Sequence, residues 1–488
     1  MGEAGPEGAV PRKPPIDELR RIVGDEHVLS THGETVGYEC DGLTHLRSQP
    51  VAVVLPASTE EVGAVVRALH EAGVPFVARG AGTGLSGGAL CPSGGVVVET
   101  ARMKRIVEVD PSNRFITVEC GITNAAVSEA VRPYDLFYAP DPSSQIACTI
   151  GGNVAENSGG PHCFKYGATV RHVRAMTVVL PDGTVTKVGS TLADVPGLDL
   201  VGILVGSEGT CAIVTEATLL LTPIPESVET LLVSFESVEA ACEAVQRIIS
   251  SGLEPSALEI LDRLTIEAVE SSVFAAGYPR EAGAVLLMEF DGSAAQTSET
   301  ADEVAAICRE VGTLSLERAE DDEHRMKIWR GRKGSFGAMG RMAPDLYVQD
   351  AVVPRSRLPE VLAKVIEIGQ RYDIRLSNVF HAGDGNLHPN VSYDRRDEDE
   401  TRRVVAAGQE ILQVCVDAGG SLSGEHGVGI EKRDYMPFVF TENDLDKMRA
   451  VRDAFNGASL LNPHKVLPST RSCVEAKRGM LEFEEGVA

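Results

Sequence analysis

The chain has 488 residues, 43% hydrophobic and 24% charged, the balance of an ordinary globular protein of about two or three domains. A formal charge of −26 argues against a nucleic-acid partner, which needs clustered Lys and Arg, and against unaided docking on an anionic membrane. No apolar run approaches the ~18 residues that span a bilayer.

The N-terminal segment, Met1-Gly-Glu-Ala-Gly-Pro-Glu-Gly8, is polar and acidic rather than signal-like, so a cytoplasmic location without membrane insertion is expected. Residues 1–45 are rich in Pro and Gly at the start, then carry a short amphipathic stretch, and read as an N-terminal arm. Residues 51–55 are strand-like. Ser58-Thr-Glu-Glu61 is a capping box, and Val62, Val65, Val66 and Leu69 follow at helical spacing. Gly73 ends that helix, and residues 74–78 give the next strand. Short strands are expected at 96–99, 106–109 and 115–119. Pro181-Asp182-Gly183 sets a hairpin between 175–180 and 185–188, and 212–221 is a long closing strand. Pro223-Ile-Pro225 marks a boundary, which makes 46–225 one domain.

Beyond it, residues 231–235, 240–250, 257–261, 284–290 and 300–311 alternate strand and helix. Residues 358–372 are helical, and 375–380 form a strand that delivers a loop beginning at His381. The fold class is α+β, with an antiparallel sheet and helices on one face over 226–440. Residues 441–488 are expected as a helical segment returning toward the first domain. The ten cysteines are scattered with no C-x-x-C pair, so the chain offers neither a zinc knuckle nor an iron–sulfur ligand set.

Three glycine-rich turns interrupt the first domain. Arg79-Gly-Ala-Gly-Thr-Gly-Leu-Ser-Gly-Gly88 contains Gly82-x-Gly84-x-x-Gly87 after a strand and formally matches a dinucleotide fingerprint. A Rossmann unit needs a helix to start there, but Pro92 and Gly94-Gly95 lead into another strand. The better reading is a nest of backbone N–H groups that closes on a pyrophosphate. The second turn runs from Pro140-Asp-Pro-Ser-Ser-Gln145 through Thr149-Ile-Gly-Gly-Asn153-Val-Ala-Glu-Asn157-Ser-Gly-Gly160 to Lys165-Tyr-Gly167. Its small residues let backbone approach a flat ring or a phosphate. Gly206-Ser-Glu-Gly-Thr210 is the third.

In the second domain, His381-Ala-Gly-Asp-Gly-Asn-Leu-His388-Pro-Asn390 is followed by Ser423-Gly-Glu425-His426-Gly. The two histidines are seven apart with Gly383 and Gly385 between them, a tight turn that can bring both rings to one point. With Glu425 they form a two-histidine, one-carboxylate set with open positions, suited to a divalent metal such as Zn, Mn or Fe. His426, beside a ligand, is left free as a base.

On these motifs, together with Tyr38-Glu-Cys-Asp-Gly-Leu43, the chain resembles the FAD-linked oxidase family over nearly its full length. That family includes the flavoprotein D subunit of bacterial glycolate oxidase and the D-lactate and D-2-hydroxyglutarate dehydrogenases. Residues 46–225 resemble the vanillyl-alcohol-oxidase, or PCMH-type, FAD-binding domain, and the resemblance implies a ferredoxin-like α+β substrate domain after it. It implies FAD, with pyrophosphate on the first glycine turn and isoalloxazine near Pro140 to Ser144, Gly151, Gly152 and Gly160. The implied cofactor set from the first turn is Arg79, Gly80, Ala81, Gly82, Thr83, Gly84, Gly87 and Gly88. From the second come Pro140, Asp141, Ser143, Ser144, Thr149, Gly151, Gly152, Asn153, Asn157, Gly160, Tyr166 and Gly167. Glu208, Gly209, Ile213 and Asn462 complete it. The first glycine loop lacks the histidine that attaches FAD covalently in some relatives, so non-covalent FAD is expected. Ala212 and His464 stand where relatives carry glycine.

Arg332 in Trp329-Arg-Gly-Arg-Lys333 resembles the arginine that holds the substrate carboxylate, with Arg330 as its competitor. Asn390 resembles a further substrate contact. The hydroxyglutarate enzymes hold a distal carboxylate with a lysine, and Leu346-Tyr-Val-Gln-Asp350 has none, which favours glycolate or D-lactate. The resemblance implies a D-2-hydroxy-acid dehydrogenase that passes a hydride to flavin N5. A second flavin subunit and an iron–sulfur subunit would then carry electrons to a quinone or cytochrome, holding the enzyme peripheral to the inner membrane. A stand-alone D-lactate dehydrogenase is the neighbouring alternative. A non-catalytic FAD scaffold has no use for His381, His388, Glu425 and His426, and a metal hydrolase leaves the glycine turns unexplained.

Overall fold

The computed structural model describes residues 13–192 and 196–468; the first residues of the arm and the end of the C-terminal segment, Cys473 included, lie outside them. Ser58 caps the helix Thr59–Ala72 by accepting the Glu61 N–H, and Gly73 closes it at φ +63°. This helix joins Ala52–Val54 to Phe76–Arg79, and Val96–Glu99 lies between those strands, parallel to both. Val28–Leu29 adds an antiparallel edge to the same sheet. Leu19, Val23 and Val28 are buried against Val62 and Val66, so the stretch expected as an arm is built into this core.

A five-stranded antiparallel sheet follows, in the order Ile106–Asp110, Phe115–Glu119, Ile213–Leu220, Val173–Val179, Val185–Gly189. Ile213–Leu220 alternates buried and half-buried residues, the period of a strand with one face on a core. The turn at 181–183 is a hairpin with Gly183 at φ +85°, and Asp182 accepts the Thr184 N–H.

The second domain is an antiparallel sheet ordered Ser315–Arg318, Ser227–Phe235, Ala284–Gly292, Ala257–Asp262, Arg375–His381, Asn386–Leu387, Ala351–Val352. Helices Val238–Ser250, Ala294–Val311, Leu358–Arg371 and Glu398–Asp417 cover one face. The sequence pattern led to an expectation of helices on that face alone, but Arg263–Glu270, Asp322–Lys333 and Ser335–Met339 cover the other. Within Ala284–Gly292, Leu286 and Met288 join the first core while Val285 and Leu287 join the second. A strand buried on both faces has no alternation to read, so its sequence does not show that a second helical layer exists.

After the helix Glu442–Phe455 the chain returns to the first domain. Phe76 N–H donates to Leu460 O, and Asn462 N–H donates to Phe76 O at 2.7 Å. Among the described residues no helix is long and apolar enough to cross a membrane.

Candidate active site

Strand pairing sets the first contact of the loop that begins at His381. Glu259 and His381 are cross-strand partners, which puts Glu259 Oε1 2.6 Å from His381 Nδ1. The chain then turns back at once, with His381 in register with Asn386. Gly385 makes that turn possible at φ +82°, where a Cβ would lie 2.2 Å from Val353 O.

Glu425 arrives on a loop organised by a buried carboxylate. Asp350 Oδ2 accepts from the Ser423 hydroxyl at 2.6 Å and from the N–H groups of Gly424, Glu425 and His426. Burial alone would raise Asp350, but Lys432 and the nearby imidazoles outweigh it and hold it well below the usual range. Glu425 Oε1 therefore sits 3.4 Å from His381 Nε2 and 3.2 Å from His388 Nε2. Two ligands each ~2.1 Å from one ion lie about 3.0–3.4 Å apart, which is how Glu425 stands to each histidine, and the three donor atoms lie within 4.8 Å of one another, a set that suits a divalent metal. Burial opposes charge on His381, yet Glu259 and Glu425 outweigh it and keep its affinity for a proton well above ordinary.

His426 stacks on His388, with ring centroids 4.8 Å apart, and its Nε2 is 3.8 Å from Glu425 Oε1. Burial, reinforced by His388, pushes its pKa down to about 4 against the pull of Asp350 and Glu425. At neutral pH it is an uncharged base. Arg332 is sealed at 1% exposure, held by Glu259 Oε2 at 2.6 Å, with Nη2 3.5 Å from His381 Nδ1 and Nη1 unpartnered. Arg330 is exposed and donates to Ala275 O, so only Arg332 reaches this cluster. Asn390 is buried, its Nδ2 on His388 O at 2.7 Å and its Oδ1 without a partner.

Glu425 and His426 also stand on the wall of a cavity of about 360 Å³ that runs into the first domain. Its walls carry Arg79, Gly80, Ala81, Gly82, Thr83, Gly84, Gly88, Ser143, Ser144, Thr149, Gly151, Gly152, Asn153, Glu208, Gly209, Ile213 and Asn462, along with Ala212. All three glycine turns therefore meet in one space. A Cβ on Gly80 would lie 2.2 Å from Thr149 Oγ1 and one on Gly151 2.9 Å from Cys120 Cβ, so these turns close up as only glycine allows. Arg79 and Glu156 of this lining carry buried atoms, Nη1 and Oε2, without partners among the described residues. A glycine-walled cleft with unpaired polar atoms fits a polar, phosphate-bearing cofactor such as FAD.

Seven residues of the expected cofactor set stand behind that wall. Asp141 pairs with His162 Nδ1 at 2.9 Å and Lys333 Nζ at 3.3 Å, and Pro140 O accepts from Asn124. Asn157 closes the helix Ile150–Glu156 at φ +53° and accepts the Val170 N–H. The Tyr166 hydroxyl donates to Asp291 of the second domain at 2.7 Å. Gly87, Gly160 and Gly167 pack against Leu90, Asp141 and Arg171. Of the two departures from the family pattern, His464 holds φ +64°, a region glycine enters freely. Glu259 and Asp350 escaped the sequence reading, and the signal for both was an acid inside an apolar strand run. Lys333 and Phe336, which line the cavity beside Glu425 and His426, escaped it too.

Residues 50–189 match the FAD binding domain family, and residues 224–466 match the FAD linked oxidases, C-terminal domain. The glycolate oxidase subunit GlcD of Escherichia coli strain K12 is 45% identical, over 98% of this chain and 97% of its own. Its counterpart from Bacillus subtilis strain 168 is 37% identical over 95% and 98%. A D-lactate dehydrogenase of Anaerostipes hadrus is 33% identical over 92% and 95%. Among solved structures, p-cresol methylhydroxylase shares the fold at a TM-score of 0.78 and 17% identity, over 94% of this chain and 97% of that one. With its paired domains and glycine-lined cleft, the chain belongs to the FAD-linked oxidase family and is an FAD-dependent oxidoreductase.

Proposed function

We propose that this chain oxidises a small D-2-hydroxy acid, glycolate to glyoxylate or D-lactate to pyruvate. One observation carries the reading: three imidazole Nε2 atoms converge on Glu425 Oε1 at the wall of the cofactor cavity. His381, His388 and Glu425 would hold the divalent metal, and Arg79 with the glycine turns would hold FAD non-covalently. When bound, the metal would supply Lewis acidity to the substrate hydroxyl and the flavin would supply the hydride acceptor. His426 takes the hydroxyl proton, a role its low proton affinity keeps open at neutral pH. Arg332, fixed by Glu259, orients the substrate carboxylate, and Asn390 adds a polar contact.

The strand Asp345–Val348 pairs with Pro389–Tyr393 beside the site and offers no cation for a distal carboxylate. Tyr347 is buried there, and Gln349 is engaged with Glu431. This supports a small monocarboxylate over a dicarboxylate. Two similar proteins are named as subunits, which supports electron transfer to a second flavin subunit and an iron–sulfur subunit. Through them a cytoplasmic protein would sit at the inner membrane. The likeness to a D-lactate dehydrogenase supports the second reading, a stand-alone enzyme.

Dye-linked oxidation of glycolate, D-lactate and D-2-hydroxyglutarate, before and after exhaustive chelation, tests the proposal. We expect turnover of the first two, little with the third, and loss of activity on chelation with recovery on adding metal. Full activity after complete metal removal would contradict the metal role.

A further inference from the structure

The helix Ile150–Glu156 ends on a carboxyl that makes no hydrogen bond among the described residues. Glu156 lines the cofactor cavity, and its Oε2 is shut away from solvent without a partner. Two glycines, one from each domain, press against it. A Cβ on Gly88 would lie 2.8 Å from Oε1, and one on Gly427 would lie 2.5 Å from Oε2. Glu208 shares the same pocket, since the Gly427 position is also 2.9 Å from Glu208 Oε1.

Two carboxyls this close do not both ionise in a buried site. Glu208 is the one stabilised as an anion, because its two oxygens accept the N–H groups of Val428 and Gly429 at 2.6 and 2.7 Å. Burial raises both carboxyls, and of the pair it is Glu156, which accepts no such N–H groups, that favours the proton. The other charged groups facing the pair are Asp41, Lys465 and Lys432. Lys465 is tied to Leu90 O and Asn462 Oδ1, and Lys432 to Asp350. Glu156 is held above the usual carboxylate range first by burial and then by Glu208.

A buried acid with nothing to bond loses its hydration without compensation. Oε2 is turned to Gly427 and Glu208, so it is the other oxygen, against Gly88 of the first glycine turn, that can meet a group in the cavity the residue lines. We infer that Glu156 is a neutral hydrogen-bond donor to an oxygen of the phosphate–ribityl chain of bound FAD. An ionised Glu156 would instead repel that chain, so tight flavin binding requires the proton.

The test is flavin release from diluted holoenzyme, followed by the rise of free-flavin fluorescence, for wild type, Glu156→Gln and Glu156→Ala between pH 6 and 9. The amide keeps a donor and nearly the same shape without a titrating proton. We expect Glu156→Ala to weaken FAD binding about tenfold at pH 6, the equivalent of ~1.4 kcal/mol. Wild-type binding should weaken as pH rises, while Glu156→Gln binds within a few-fold of wild type at pH 6 and stays flat to pH 9. A wild-type profile flat over this range, or Glu156→Ala holding FAD as tightly as wild type, would overturn the inference. Should Glu156→Ala fail to fold, the wild-type and Glu156→Gln profiles decide alone. None of these readings depends on which acid the enzyme oxidises.

Discussion

At the scale of single residues, the site separates groups that hold from the group that reacts. His426 touches neither Asp350 through its ring nor Glu425 at hydrogen-bonding distance, so removing it leaves the contacts of Glu425 with His381 and His388 in place. His426→Gln should retain FAD and metal but slow flavin reduction by glycolate or D-lactate about 10²–10⁴-fold, read by stopped-flow absorbance. Reduction at the wild-type rate would remove His426 from the chemistry. Glu259 acts through its neighbours, gripping Arg332 and His381 at 2.6 Å each. Glu259→Gln should lower metal affinity by about 10–100-fold, measured as metal content after dialysis against a graded chelator series. Unchanged retention would mean that His381 needs no such support. The candidate ligand histidines were readable because two glycines lie among the six residues that separate them. Glu259 was not readable as their partner, because 122 residues and a strand pairing intervene.

At the scale of elements, glycine turns and a charged latch do most of the positioning. Gly80 sits so close to Thr149 that a methyl group would meet the oxygen capping Ile150–Glu156. Gly80→Ala should yield protein with sharply reduced flavin per chain, read from the absorbance ratio, and full occupancy would contradict the close approach. The second device joins the domains: His162 bridges Asp141 at 2.9 Å and Glu289 at 3.1 Å. Burial opposes its charge, but the two carboxylates outweigh burial and raise its pKa to about 10. A raised folded-state value means that its stabilisation is complete below pH 6.5 and is lost as pH climbs through 10. His162→Ala leaves two carboxylates short of a partner and should cost about 3 kcal/mol at pH 7 in denaturant unfolding. The gap from wild type should narrow at pH 10; a gap that stays constant would argue that the bridge is not ionic. The three turns stood out in the sequence because glycine marks close approach directly. The latch did not, since His162 and Glu289 look like ordinary polar residues until the domains pack. The strands buried on both faces concealed the second helical layer for the reason given by Val285 and Leu286, which face opposite cores.

At the scale of the whole molecule, catalysis depends on two domains facing one another across a cleft. The first brings the glycine walls, the second brings Glu425 and His426, and the returning segment at Leu461 and Asn462 ties the end of the chain to the first sheet. Fold class and family were legible early because their motifs are local. The joining of the cofactor cavity to Glu425 and His426 was not, because it arises only from packing. The most direct test of the account is an anaerobic titration of FAD-loaded, metal-replete protein with glycolate and then D-lactate, followed by flavin absorbance. The account predicts stoichiometric bleaching of the flavin by one or both acids. A flavin that stays oxidised through an excess of both, in protein shown to hold metal, would contradict it.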